Sequence, residues 1–234
     1  MCLSKDYDII AEYVTDDEEG YVRLLRIGCI KYMLFDDVYY DNYYLPYIKA
    51  GKPGTYKAYI KMNNNCQYPN LFSDNNNIKT IAFFDNFNSL NINLWNNGFY
   101  NSPNLESVDL SNLKLGNNKC FQNFFGNNIN LKEVKFPKTD IKNAVYLNGM
   151  LRNCKSLTSI DLSSLYDDNA QYIGNFFEGC TNLQYINIKN LKNVRIFSDN
   201  LLNSLPKNGK LVANRKMVES LGDKIPKNWI VYVE

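Results

Sequence analysis

Apolar side chains in this chain return in a six-residue phrase, hydrophobic at positions 1, 4 and 6 and mostly polar at 2, 3 and 5. The phrase reads LESVDL (105–110), LKEVKF (131–136), LTSIDL (157–162) and LQYINI (183–188), each start 26 residues after the one before. A weaker copy, IKTIAF (78–83), starts 27 residues before Leu105. The alternation that ends each phrase is that of a short strand with one buried face. Six residues ahead of each start stands Phe72, Phe99, Phe125, Leu151 or Phe177, and one residue ahead stands Asn77, Asn104, Asn130, Ser156 or Asn182. One such unit cannot bury its own apolar face, so neighbours must stack in register. Each unit then supplies a strand, a corner held by Asn or Ser, and a returning limb that is helical or irregular. The pairs Phe124–Phe125, Met150–Leu151 and Phe176–Phe177 close the interior opposite the strands.

The first 62 residues follow a different pattern. Segments 8–14, 21–28, 30–35 and 55–62 read as strands, the last with Tyr56, Ala58, Ile60 and Met62 on one face. Turn signals separate them at 16–20 and 51–54. An antiparallel sheet or small sandwich is expected here, packed on the first repeat.

Composition sharpens the boundary between the two parts. Of 37 asparagines among 234 residues, only Asn42 falls in the first 62, whereas 11 of the 18 tyrosines do. Because the asparagines are interleaved with Leu, Ile, Phe and Val, they read as recurrent turn residues rather than as a disordered tract. The absence of histidine removes imidazole-dependent nucleophile systems and His-ligated zinc. A formal net charge of +2 gives no electrostatic footprint for nucleic acid. No apolar run is long enough to span a bilayer, and the start, MCLSKDYD, is not an intact signal peptide. Cys2 stands where a mature lipoprotein would carry its lipid. No two cysteines form a C-x-x-C pair, and no calcium-loop or phosphate-loop motif occurs. Cys154 and Cys180, three residues ahead of their repeat starts, are expected to be buried thiols.

The segments MLRNCKSLTSIDLSSL (150–165) and FFEGCTNLQYINIKNL (176–191) resemble the BspA-type leucine-rich repeats of bacterial surface proteins. The resemblance covers about residues 71–205 and weakens at 72–87 and 131–139, where Pro137 replaces an expected Ser. It implies an α/β repeat solenoid of about five coils, leucine-rich-repeat-like, preceded by a small all-β N-terminal domain. The expected divisions are an N-terminal β domain (1–66), the repeats (67–208) and a capping strand-helix-strand (209–234).

Candidate chemistry is that of binding. Positions 3 and 5 of the strands point to an open face, whose central members are Ser107, Asp109, Glu133, Lys135, Ser159, Asp161, Tyr185 and Asn187. A second candidate is the aromatic patch Tyr39, Tyr40, Tyr43, Tyr44 and Tyr47. No catalytic, metal or cofactor residues emerge, and the chain is expected not to be an enzyme. The expected function, implied by the resemblance, is protein recognition or adhesion at a bacterial cell surface. The alternatives are a structural decoration or fibre protein on a phage virion and, more weakly, a carbohydrate-binding module. The partner would be a protein of a host surface or an assembly, with a glycan as the further class, and neither nucleic acid nor a membrane span is expected.

Overall fold

The computed structural model describes residues 6–25, 29–41, 45–63, 70–84, 95–113, 115, 118–140, 144–166, 172–192 and 200–234. Strand β1 (Ile9–Thr15) buries Ile9, Ala11 and Tyr13 on one face, as its alternation dictates. It pairs antiparallel with β6 (Gly54–Met62) on one side and with β7 (Ile78–Phe83), the first repeat strand, on the other. Beyond β6 lies β3 (Ile30–Phe35), and β4 (Val38–Asp41) folds back on β3. The two residues of that turn, Asp36 and Asp37, have φ of 46° and 65°, the left-handed pair a tight hairpin needs. Repeat strands β8 (Ser107–Asp109) and β9 (Glu133–Lys135) continue in parallel from β7. The result is one mixed sheet in the order β4-β3-β6-β1-β7-β8-β9. Two short strands, β2 (Tyr21–Arg23) and β5 (Tyr47–Lys49), form a separate antiparallel pair.

The later repeats build smaller parallel sheets. One pairs β10 (Thr139–Asp140) with β12 (Leu165–Tyr166). The other runs β11 (Ser159–Asp161), β13 (Tyr185–Asn187), β14 (Asn208–Ala213) and β15 (Asn228–Val233). Between β14 and β15 lies α1 (Arg215–Leu221), whose N-cap Asn214 accepts a hydrogen bond from Met217 N at 2.9 Å.

The expected α/β solenoid is not what the chain forms. The molecule is mostly β, with one α-helix among the described residues, and that helix lies outside the repeats. Nor is the main N-terminal sheet separate from the repeats, because β1 bonds directly to β7. The reason for the missing helices is local. Each returning limb carries two left-handed residues, at Asn97 and Asn101, Asn123 and Asn127, Gly149 and Asn153, and Asn175 and Gly179. An α-helix cannot contain such residues. The amides of the limb bond instead to the next repeat, as in Phe99 N to Phe124 O, Phe125 N to Met150 O and Leu151 N to Phe176 O. Where glycine takes the left-handed position, the space is already filled: a Cβ on Gly179 would collide with Asn153 Oδ1.

Burial follows the phrase. Leu105, Leu131, Leu157 and Leu183 are fully buried, and Phe72, Phe99, Phe125, Leu151 and Phe177 face them as an equally buried column. The rings of Phe72 and Phe99 stack at 4.8 Å, and those of Phe99 and Phe125 at 5.4 Å. A second column, three residues ahead of each start, is Asn75, Ser102, Asn128, Cys154 and Cys180. Its side chains donate to the carbonyls of the preceding repeat: Ser102 to Phe72, Asn128 to Phe99, Cys154 to Phe125 and Cys180 to Leu151. The corner asparagines do the same from outside, with Asn104 reaching Asn76 O, Asn130 reaching Pro103 O and Asn182 reaching Lys155 O.

Candidate recognition face

The register of the seven-stranded sheet lays out its outer face in rows. One row runs Tyr39, Leu34, Tyr59, Ile10, Ala82, Asp109, Lys135, and its neighbour runs Lys57, Glu12, Thr80, Ser107, Glu133. The open face expected of the repeats is therefore continuous with the outer face of the N-terminal strands. The first row changes character along the way, aromatic and aliphatic as far as Ala82, then charged, while its neighbour is polar and charged throughout.

At the polar end, position 5 has a structural task. Asp109 Oδ1 accepts from Ser111 N at 2.9 Å, Asp161 Oδ1 from Ser163 N at 2.8 Å and Asn187 Oδ1 from Lys189 N at 3.4 Å. These are Asx turns that end each strand. The third repeat has neither half of the device, since Lys135 replaces the acceptor and Pro137 the donor N–H. Lys135 instead lies 3.8 Å from both Asp109 and Glu133. Ser159 and Asp161 sit on β11, across a gap in the sheet from Glu133 and Lys135. Tyr185 is half-buried, and Lys210 lies 5.7 Å from its ring and 4.2 Å from that of Tyr232. Asn187 is buried.

The aromatic patch is regrouped rather than kept as a run. Tyr39 is 57% exposed and Tyr47 50%, but Tyr47 belongs to β5 in the small separate sheet. Tyr40 is half-buried against the core. Tyr43 and Tyr44 lie outside the described residues. Around Tyr39 the fold gathers tyrosines from elsewhere in the chain: Tyr32 at 5.9 Å from Tyr39, and Tyr7 at 5.8 Å from Tyr32 and 5.7 Å from Tyr59. Burial, together with the facing rings of Tyr32 and Tyr39, raises the Tyr7 hydroxyl above its ordinary value. Beside this cluster lies a shallow groove of about 170 Å³ lined by Leu34, Asp36, Asp37, Lys57 and Tyr59. Its lining joins Leu34 and Tyr59 to three charged side chains, Asp36, Asp37 and Lys57. Neither Tyr59 nor the groove was a sequence candidate. The alternation of segment 55–62 puts Tyr59 opposite the buried face, but the strand that pairs with it could not be read.

Cysteine chemistry divides in two. Cys154 and Cys180 are free and buried. Burial pushes the Cys180 thiol up to about 12 and raises that of Cys154 well above its ordinary range, so both stay protonated at neutral pH. Cys29, by contrast, is disulfide-bonded. Among the described residues, no three His, Cys, Asp or Glu side chains cluster as metal ligands would. Among them, too, no helix is long and apolar enough to cross a membrane, which leaves β-barrel insertion unaddressed. No protein family, curated protein or solved structure matches the chain.

Proposed function

We propose that this chain is a non-catalytic protein-recognition module of the adhesion kind, engaging its partner through the outer face of the seven-stranded sheet. The observation that carries the reading is the continuous row Tyr39, Leu34, Tyr59, Ile10, Ala82, flanked by Tyr7 and Tyr32 and passing into Asp109 and Lys135. Exposed aromatic side chains such as these are what protein interfaces are enriched in. The disulfide at Cys29 supports work in an oxidising place such as a cell surface. The resemblance to BspA-type surface proteins points the same way, and a sequence without histidine supports binding over catalysis.

A glycan is the second reading, favoured by the groove, where Tyr59 offers a ring and Asp36, Asp37 and Lys57 offer hydrogen-bonding groups. One experiment addresses both. Immobilised wild type, a Tyr39→Ala/Tyr59→Ala variant and an Asp161→Ala control are exposed to solubilised cell-surface proteins and, in parallel, to a glycan array. A protein held by wild type and control but lost with the tyrosine variant supports the first reading. A glycan signal with the same dependence moves the function to the second. Retention indifferent to both tyrosines would place the interface elsewhere, with Tyr185, Lys210 and Tyr232 next in line.

A further inference from the structure

Five of the ten exposed large apolar side chains among the described residues lie on just two strands. Val38 and Tyr39 belong to β4, and Ile230, Tyr232 and Val233 belong to β15. Those strands are the outermost members of the two largest sheets, and β9 and β11, the inner edges, adjoin each other. Among the described residues, then, β4 and β15 stand at opposite ends of the stack with no strand paired on their outer sides. Sheet proteins ordinarily blunt such edges with charges, Pro, a bulge or a very short strand; of these β4 has its four-residue length and Asp41, and β15 has none. Neither Val38–Asp41 nor Asn228–Val233 contains Lys, Pro or Gly, and both pair regularly with their inner neighbours.

Charge tells the two ends apart. Residues 1–63 hold eight basic and ten acidic side chains, and Asp36, Asp37 and Asp41 flank β4 directly. Residues 206–234 hold six basic and three acidic side chains, and Lys210 keeps its charge over the Tyr232 ring at 4.2 Å. The acidic β4 edge thus complements the net-positive C-terminal segment, whereas β4 against its own copy sets carboxylates together and two C-terminal segments set net positive charge against net positive charge.

We propose that copies of this chain associate head to tail, the β15 edge of one adding to the β4 edge of the next. Because the two surfaces differ, the contact is heterologous, and nothing in a single contact closes the assembly at two copies. The association uses sheet edges where the recognition reading uses a face; Tyr39 on β4 is common to both, and the variants that test the association alter neither it nor Tyr59.

Sedimentation velocity over a range of concentrations tests it with wild type, Val38→Lys and Ile230→Lys, all exposed positions. The expected result is a wild type whose mean sedimentation coefficient keeps rising with concentration, past a dimer, while each variant alone stays monomeric. An equimolar mixture of the two variants should form dimers and stop there, since one intact β4 edge and one intact β15 edge remain. That mixture also guards against misfolding, because an unfolded variant could not restore the contact. A wild type monomeric throughout would overturn the proposal. So would either variant continuing to self-associate alone, because that requires an edge to pair with its own copy, and so would a mixture that stays monomeric.

Discussion

Where the third repeat meets the fourth, the corner side and the strand side of the stack part company. At the corner, contact is unbroken: Asn153 donates to Asn127 Oδ1 at 2.8 Å, Cys154 to Phe125 O at 3.2 Å, and Ser156 N to Ile129 O at 3.1 Å. On the strand side, β9 and β11 adjoin without a ladder, and the sheet ends at β9 and begins again at β11. Burial records the gap. Ile81, Val108, Ile160, Ile186 and Leu211 are buried, while Val134, the same position in the third repeat, is only partly so, as is Phe136. The comparison teaches that registry across this junction is carried by the corner, with the strand ladder following where it can. β10 and β12 resume the parallel register on the far side of the break, which a failing stack would not allow.

If the corner carries the stack, the largest loss comes from Phe125, where the ring column ends and the corner takes its carbonyl. It is fully buried, stacks on Phe99, meets Phe136 edge-on at 6.0 Å and lends its carbonyl to both Asn128 and Cys154. Phe125→Ala is expected to cost about 3–5 kcal/mol, read by chemical denaturation. Val134→Ala, at the gap, should cost well under half of that. Equal losses would contradict the asymmetry.

Asn128→Ala comes next. Its Oδ1 accepts from Ser102 N, and its Nδ2 donates to Phe99 O and Phe125 O at 2.8 and 2.9 Å. Removing it strands a buried amide and weakens two carbonyls, at a cost of about 2–4 kcal/mol. Cys154→Ala, in the same column, removes only a weak donor and a small apolar atom, and about 1 kcal/mol is expected. The pair measures how much of the corner is polar accounting and how much is filling.

The strand side can be mended rather than broken. Lys135→Asn with Pro137→Ser supplies the acceptor and the N–H of the Asx turn that Asp109 and Asp161 make with Ser111 and Ser163. The double substitution is expected to gain about 0.5–1.5 kcal/mol. Hydrogen exchange should show new protection of the β9 and β11 amides. Unchanged protection would mean that the turn is not what keeps the strands apart.

Much of this was legible in the sequence. The 26-residue phrase located β7, β8, β9, β11 and β13, because a period-2 alternation between fixed corners leaves a strand few other places. The limb, expected to be helical or irregular, is irregular, and what fails is the α/β class that needed a helix there: left-handed residues such as Asn97, Asn101, Asn123 and Asn127 exclude one. Pro137 was visible as a departure from the repeat, and the structure shows its correlate beside it. The aromatic cluster was half legible. The run 36–47 announced Tyr39, but Tyr7, Tyr32 and Tyr59 come to it through strand register, which a single sequence does not encode readably.

Charge pairs give the finest test of the comparison, since they occur on both sides. Glu106 and Lys132 meet at 2.9 Å on the strand side of the second and third repeats, and Arg152 and Glu178 at 3.2 Å on the corner side of the fourth and fifth. The Lys132 hydrogen bond holds the Glu106 carboxyl below its ordinary 4.5, so its stabilisation is present above that pH and is lost as pH falls through the depressed value. Glu106 and Lys132 are both well exposed, which screens the effect, and Glu106→Gln should cost about 0.2–1 kcal/mol. Glu178→Gln should cost a similar amount, and high salt should erase both. If instead the corner pair proved several times the stronger and survived salt, electrostatics rather than packing and backbone pairing would account for the difference between the two sides.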